Sequence, residues 1–141
     1  MSPVPRFGFG DGRLSHPYAS SAAFSTLPVT WAARTESADG RTSPEELVAA
    51  AHASCYAMAF SAALGRNGTP PTSLDVSATV TFDKVESGWK VVSSALTVKG
   101  SVPGLDAAKF RELAEAAKDG CPISGALKGN VELSVKAELA S

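Results

Sequence analysis

The chain holds two cysteines, and their surroundings suit a reactive pair better than a structural staple. Cys55 lies inside the most apolar stretch, Glu46-Leu-Val-Ala-Ala-Ala-His-Ala-Ser-Cys-Tyr-Ala-Met-Ala-Phe60, and Cys121 stands in Asp119-Gly-Cys-Pro-Ile-Ser124. A thiol enclosed in an apolar helix is ordinarily inert, because losing water disfavours the thiolate. A reactive Cys55 therefore needs a positive group within reach. Cys121 sits where a short helix should start, and the amides of such a start favour a thiolate. An inert capping cysteine is an equal alternative there. His52 lies three residues before Cys55 on nearly the same face and could act as a base toward it. The plainer reading makes both core residues, since cysteine is among the most buried types and a lone helix histidine is more often simply satisfied. Metal binding fits worse. His16, His52, Cys55 and Cys121 are the only soft ligands, and His-x-x-Cys without a second spaced pair is no zinc signature.

The elements that must position these groups are legible in outline. Residues 1–21 are rich in Gly, Pro and Ser without a sustained period and read as loop or a poorly formed edge. A short β-like run from Ala22 to Arg34 ends in Val29-Thr-Trp-Ala-Ala-Arg34, and Ser37 to Thr42 is turn chemistry. Ser43-Pro-Glu-Glu46 then predicts a helix start: Ser43 caps, Pro44 takes the first helical position and Glu46 completes a capping box. That helix should run to about Leu64, where Gly65 stops it. Leu74, Val76, Ala78, Val80 and Phe82 alternate with Asp and hydroxyl residues, a half-buried strand. Ser87-Gly88 turns the chain into a second strand from Trp89 to about Val102. Asp106 caps an amphipathic helix with Phe110, Leu113, Ala114 and Ala117 on one stripe, ended by Gly120. Pro122 opens a short helix with Cys121 at or near its N-cap, and Val131 to Leu139 alternate as a last strand. The pattern predicts one α+β domain over 1–141.

Bulk properties narrow the function classes. At 141 residues the chain can bury a real core, and 44% hydrophobic with 19% charged residues is a globular composition. A formal net charge of −1 leaves no basic face for nucleic acid. The N-terminus carries no apolar signal region, and Leu47 to Leu64, rich in alanine with His52, Ser54 and Ser61, reads as a buried helix rather than a membrane span. A cytoplasmic, reducing compartment is the default, where a cysteine pair is more often catalytic than structural.

Taken together, Trp31-Ala-Ala-Arg34, Ser43-Pro-Glu-Glu-Leu-Val-Ala-Ala-Ala-His-Ala-Ser-Cys55, Thr69-Pro-Pro-Thr72, Phe82-Asp-Lys-Val85, Val102-Pro-Gly-Leu-Asp106 and Gly120-Cys-Pro-Ile-Ser124 resemble the OsmC branch of the OsmC/Ohr family of bacterial thiol peroxidases. The resemblance implies that Cys55 is the peroxidatic cysteine and Cys121 the resolving one. It implies that Arg34 stabilises the thiolate and Glu45, the first glutamate of Pro-Glu-Glu, orients Arg34. His52 is typical of the OsmC branch, while the Ohr branch generally has tyrosine there, which argues against an essential base. Residues 1–21 do not carry the family's opening strand. The implied fold is OsmC-like: an intertwined homodimer whose central apolar helices are enclosed by antiparallel β-sheets. No bound cofactor or metal is implied. An external dithiol, of lipoyl type in this family, would be the reductant.

In physical terms the reading is coherent. At a pKa of about 8.5 only about 3% of a thiol is ionised at neutral pH. A guanidinium a few ångströms away can lower that value by roughly 1–3 units. Glu45 and Cys55 lie ten residues apart on one helix, roughly 15 Å in rise, so Arg34 or Glu45 reaching across two subunits is an attractive arrangement. A helix apolar nearly all round also asks for a partner. The expected activity is reduction of organic hydroperoxides. The alternatives are a peroxidase acting mainly on hydrogen peroxide, or a catalytically silent lipid- or small-ligand-binding relative. A pure binder has no need of Arg34, Glu45, Cys55 and Cys121 together.

Overall fold

The computed structural model of the protein describes residues 27–140, which fall into two compact units dividing between Leu47 and Val48. The loop expected over 1–21, and the part of the β-like run before residue 27, lie outside the described residues. The elements are α1 (Trp31–Thr35), α2 (Pro44–Arg66), β1 (Ser73–Val85), β2 (Gly88–Ser101), α3 (Ala107–Gly120), α4 (Pro122–Leu127) and β3 (Glu132–Leu139).

In the first unit the described part of the β-like run, residues 27–34, is not a strand. Trp31–Thr35 forms one helical turn, capped by Thr30 Oγ1, which accepts from the Ala33 N–H at 3.1 Å. A strand-like contact remains just before it, where Val29 forms an isolated bridge to Thr42. The start of α2 keeps the expected Ser43 cap, but Glu46 turns to Thr42 instead of closing the capping box on Ser43. Ser43 Oγ accepts from the Glu46 N–H at 3.1 Å, while the Glu46 carboxylate accepts the Thr42 hydroxyl at 2.6 Å.

The α2 helix passes Gly65 and ends at Arg66. Its close is a Schellman turn: the Thr69 N–H reaches the Leu64 carbonyl and the Gly68 N–H reaches Gly65, with Gly68 at φ +80°. Gly65 is therefore the penultimate helical residue, and Gly68 supplies the left-handed conformation. His52, Tyr56, Phe60 and Leu64 recur every four residues and form the buried stripe of α2. By length and composition α2 could cross a membrane. One stripe of it packs into the hydrogen-bonded core, but only 22% of its apolar window is buried, so the wholly enclosed helix expected from the sequence is not seen within one chain.

In the second unit, β1 and β2 form an antiparallel hairpin through Glu86 and Ser87, and the inward row of β1 is the expected Leu74-Val76-Ala78-Val80-Phe82. Thr81 pairs with Ser93 and Phe82 with Val91, so Val92 is an extra residue on β2. Phe82 and Trp89 stack beyond this bulge, 4.9 Å between centroids. The sheet is mixed rather than wholly antiparallel. Its order is β1-β2-β3, and β3 runs parallel to β2. A parallel neighbour needs a crossover, which α3 and α4 provide.

The core joins α2, α3 and the sheet. Phe60 lies between Tyr56 and Phe110, with centroid distances of 5.7 and 5.2 Å. Asp106 caps α3 by accepting from the Lys109 N–H, and Phe110, Ala114 and Ala117 are its buried residues. Gly100 permits the close approach of Phe110 to the sheet: a Cβ there would meet Leu74 Cδ2 and two ring atoms of Phe110 at 2.9 Å. Burial of each large side chain contributes about 1.5–3 kcal/mol.

Candidate active site

The four residues expected at the site form two pairs. In the first unit, Arg34 Nε donates to Glu45 Oε1 at 2.9 Å and Oε2 at 3.1 Å, and Nη2 donates to Oε1 at 2.7 Å. Glu45 is 6% exposed, so the pair needs these charge-assisted bonds to offset lost hydration. The guanidinium also lies over the Trp31 ring, 5.5 Å from its centroid. The one-turn α1 helix carries both Trp31 and Arg34, which explains why this segment coils instead of extending.

In the second unit, Cys55 and Cys121 are free thiols, not joined as a disulfide, and each acts on the acidity of the other. Cys121 is the N-cap of α4, with an extended backbone at φ −78° and ψ 125° and Pro122 behind it. Its side chain is 1% exposed. Burial is the largest influence on its acidity and acts upward. The nearby polar groups of Ser124, Cys55 and Ile123 act downward, and the net effect lowers the Cys121 pKa. Cys55 goes the other way. Burial pushes it up, the Ile123 amide pulls it down, and the neighbouring Cys121 pushes it up again.

Cys55 opens onto a cavity of about 510 Å³ between α2 and the end of α3, with Met58, Ala59, Leu113 and Ala117 on its walls and Arg66 among its lining residues. The walls are almost wholly apolar, so an alkyl or aryl group can lose water there while a polar head meets the thiol.

His52 is fully buried and both ring nitrogens are taken: Nδ1 lies 2.6 Å from Ser94 Oγ and Nε2 2.8 Å from Ser124 Oγ. Burial lowers its pKa, so the ring is neutral near pH 7. It is a satisfied core histidine and is not free to serve Cys55 as a direct base. Sequence reading missed Ser94, Ser124 and the α3 wall of the cavity. Ser94 does leave a trace, a polar residue in the inward row with Leu96, Val98 and Gly100. Among the described residues no three His, Cys, Asp or Glu side chains gather as a metal site.

The family model described as OsmC-like protein matches residues 37–136. The chain is 41% identical over 124 residues to the peroxiredoxin OsmC of Escherichia coli (strain K12), covering 88% of this chain and 84% of that protein. It is 28% identical over 95 residues to an organic hydroperoxide resistance protein of Xanthomonas axonopodis pv. citri, covering 67% and 65%. Among solved structures, the organic hydroperoxide resistance protein OhrB of Bacillus subtilis superposes with a TM-score of 0.70 at 26% identity, over 83% of this chain and 85% of that one. An OsmC protein of Legionella pneumophila shares the fold, with a TM-score of 0.67 at 22% identity over 84% and 85%. With its family segment and its fold in agreement, the chain belongs to the OsmC-like protein family.

Proposed function

We propose that the protein is a cysteine-based peroxidase that reduces organic hydroperoxides to alcohols and is recycled by an external dithiol. One observation carries the reading: two free thiols that act on each other's acidity, one of them facing a largely apolar cavity of about 510 Å³. The names of its relatives, peroxiredoxin and organic hydroperoxide resistance protein, favour the same class.

In the proposed cycle the Cys55 thiolate attacks the terminal peroxide oxygen in line. An S–O bond forms, the O–O bond breaks, and the alkoxide takes a proton to leave as alcohol. Cys121 then attacks the sulfenic sulfur. The S–S bond forms as the S–O bond breaks, and hydroxide leaves as water once protonated. A dithiol, of lipoyl type by family resemblance, returns the disulfide to two thiols through a mixed disulfide. Arg34 supplies the cation that Cys55 requires, and Glu45 fixes the guanidinium in orientation. The same fork can hold a peroxide oxygen beside the sulfur.

The working form in this reading is a cytoplasmic homodimer that folds over the whole chain as one functional domain. Met58 on α2 is 74% exposed next to the cavity, which suits a surface covered by a second copy. The testing experiment is kcat/KM for cumene hydroperoxide and for hydrogen peroxide under one dithiol supply. Preference for the organic peroxide by about tenfold or more supports the reading, whereas equal rates favour a hydrogen peroxide enzyme and no turnover favours a ligand binder.

A further inference from the structure

Among the described residues, Arg66 is the one charged side chain on the cavity that Cys55 opens onto, and it stands at the other end of the α2 wall. Cys55 and Arg66 are eleven residues apart, about three turns, so both lie on one face of the helix. Met58, Ala59 and Ala62 lie between them and line the same cavity. The opposite wall comes from α3, through Leu113 and its neighbours. The result is an apolar trough with a thiol toward one end and a guanidinium toward the other.

An arginine in the last turn of a helix is favoured by the partial negative charge of the unpaired carbonyls there. That preference explains a cation at the end of α2 on any face. It does not explain why the face is that of Cys55. Arg34 is gripped by Glu45, whereas the Arg66 guanidinium has no ion pair or hydrogen bond among the described residues. No acidic side chain lines the cavity to compete for it. Arg66 is exposed, so its charge stays hydrated until an anion arrives, and its planar fork can meet a carboxylate through two parallel bonds.

The spacing sets the length of the ligand. Eleven residues rise roughly 16 Å along the helix axis. Long side chains in helices lean toward the N-terminus, here toward Cys55, which leaves roughly 10–16 Å between thiol and guanidinium. An extended alkyl chain advances roughly 1.2 Å per bond, so about 8–13 bonds separate the two groups.

We propose that Arg66 is a specificity residue: it binds the carboxylate of an alkyl hydroperoxide acid whose chain lies in the trough and whose peroxide reaches Cys55. The inference rests on the reading of Cys55 as the peroxide-attacking thiol and narrows the substrate class of that site. The chemistry at sulfur is that of the proposed cycle, and the alcohol released is the hydroxy acid.

The test compares ω-hydroperoxydodecanoic acid with its methyl ester in the full, natively assembled chain under one dithiol supply. The acid should be preferred about tenfold in kcat/KM, with the difference in KM rather than kcat. Arg66→Gln should bring the acid-to-ester ratio to about one, Arg66→Glu should reverse it, and Arg66→Lys should keep part of it. ω-Hydroperoxyhexanoic acid is too short to span the trough, so its ratio should not respond to these changes. Added salt should weaken the preference for the longer acid, because Arg66 is exposed. An acid-to-ester ratio that is the same in parent and Arg66→Gln overturns the proposal, as does an equal loss for the short acid.

A second readout needs no peroxide. Dodecanoate should slow iodoacetamide alkylation of Cys55 in the chain carrying Cys121→Ser, methyl dodecanoate should slow it less, and Arg66→Gln should remove that difference. Protection without any peroxide turnover ends the peroxidase reading and leaves the Arg66 site standing. Equal protection by acid and ester ends the site, whatever the turnover.

Discussion

Cys55 and Cys121 are free thiols that act on each other's acidity, yet their surroundings drive the two apart. Burial leaves Cys55 above the ordinary thiol value, while the amides and hydroxyl at the start of α4 bring Cys121 below it. Such a pair is well arranged for the second step, attack of an anionic Cys121 on oxidised Cys55. It is not sufficient for the first, which needs Cys55 as the anion. The proposed mechanism therefore places its heaviest demand on the cation gripped by Glu45.

That demand sets the first prediction. Arg34→Ala should raise the alkylation midpoint of Cys55 by about one pH unit or more and slow its oxidation in proportion. Arg34→Lys should restore only part, since an ammonium brings charge without the two-pronged grip seen on Glu45. A pH–alkylation profile identical in parent and Arg34→Ala would remove Arg34 from the mechanism.

His52 predicts an acid-side loss of stability. Its folded pKa lies below the ordinary 6.5, so the unfolded chain binds the proton first as the pH falls. This contribution is whole above about 6.5 and is lost progressively as the pH drops toward the folded value. Urea unfolding between pH 7.5 and 5 should follow that sign, and His52→Gln should flatten the slope. A slope unchanged in His52→Gln would mean that other groups carry the effect.

The aromatic stack predicts where stability is concentrated. Phe60 is fully buried between Tyr56 and Phe110, and Phe60→Ala should cost about 3–5 kcal/mol. Tyr56→Phe removes only the bond to the Ala114 carbonyl and should cost about 0.5–1.5 kcal/mol. Denaturant midpoints of the two variants would give that order, and the reverse order would mean that the hydroxyl matters more than the packing.

What the sequence disclosed was what is local. Alternation in Leu74–Phe82, the Asp106 cap, Pro122 after Cys121 and the start of α2 at Pro44 each depend on neighbours within a few positions, and each appears as expected. The turn Trp31–Thr35 was misread because Val29, Thr30 and Trp31 just before and at its start favour a strand, whereas a Thr30 cap and the ion pair of Arg34 with Glu45, eleven residues away, accompany the helix. The parallel pairing of β3 left no trace, since alternation is the same in either direction. At the site, residue types gave the two cysteines and the family pattern gave Arg34 and Glu45. The Ser94–His52–Ser124 chain was illegible because its members are 42 and 72 positions from His52.

Subunit composition gives a fourth prediction. The exposed Met58 and the open cavity beside it should be covered in a tight homodimer, seen by sedimentation at micromolar concentration. Mixing Arg34→Ala with Cys55→Ser chains by co-refolding should restore activity where sites are shared between subunits. No restoration would assign each set of four residues to one chain, and a monomer in sedimentation would end the dimer proposal.

The central claim is that Cys55 breaks the peroxide bond and Cys121 acts only afterwards. A single-turnover measurement tests it most directly: fully reduced protein is mixed with one equivalent of cumene hydroperoxide without added dithiol, and residual peroxide is read with time. Cys55→Ser should consume none, and Cys121→Ser should consume one equivalent and stop as a sulfenic acid. Consumption by Cys55→Ser, with none by Cys121→Ser, would contradict the account.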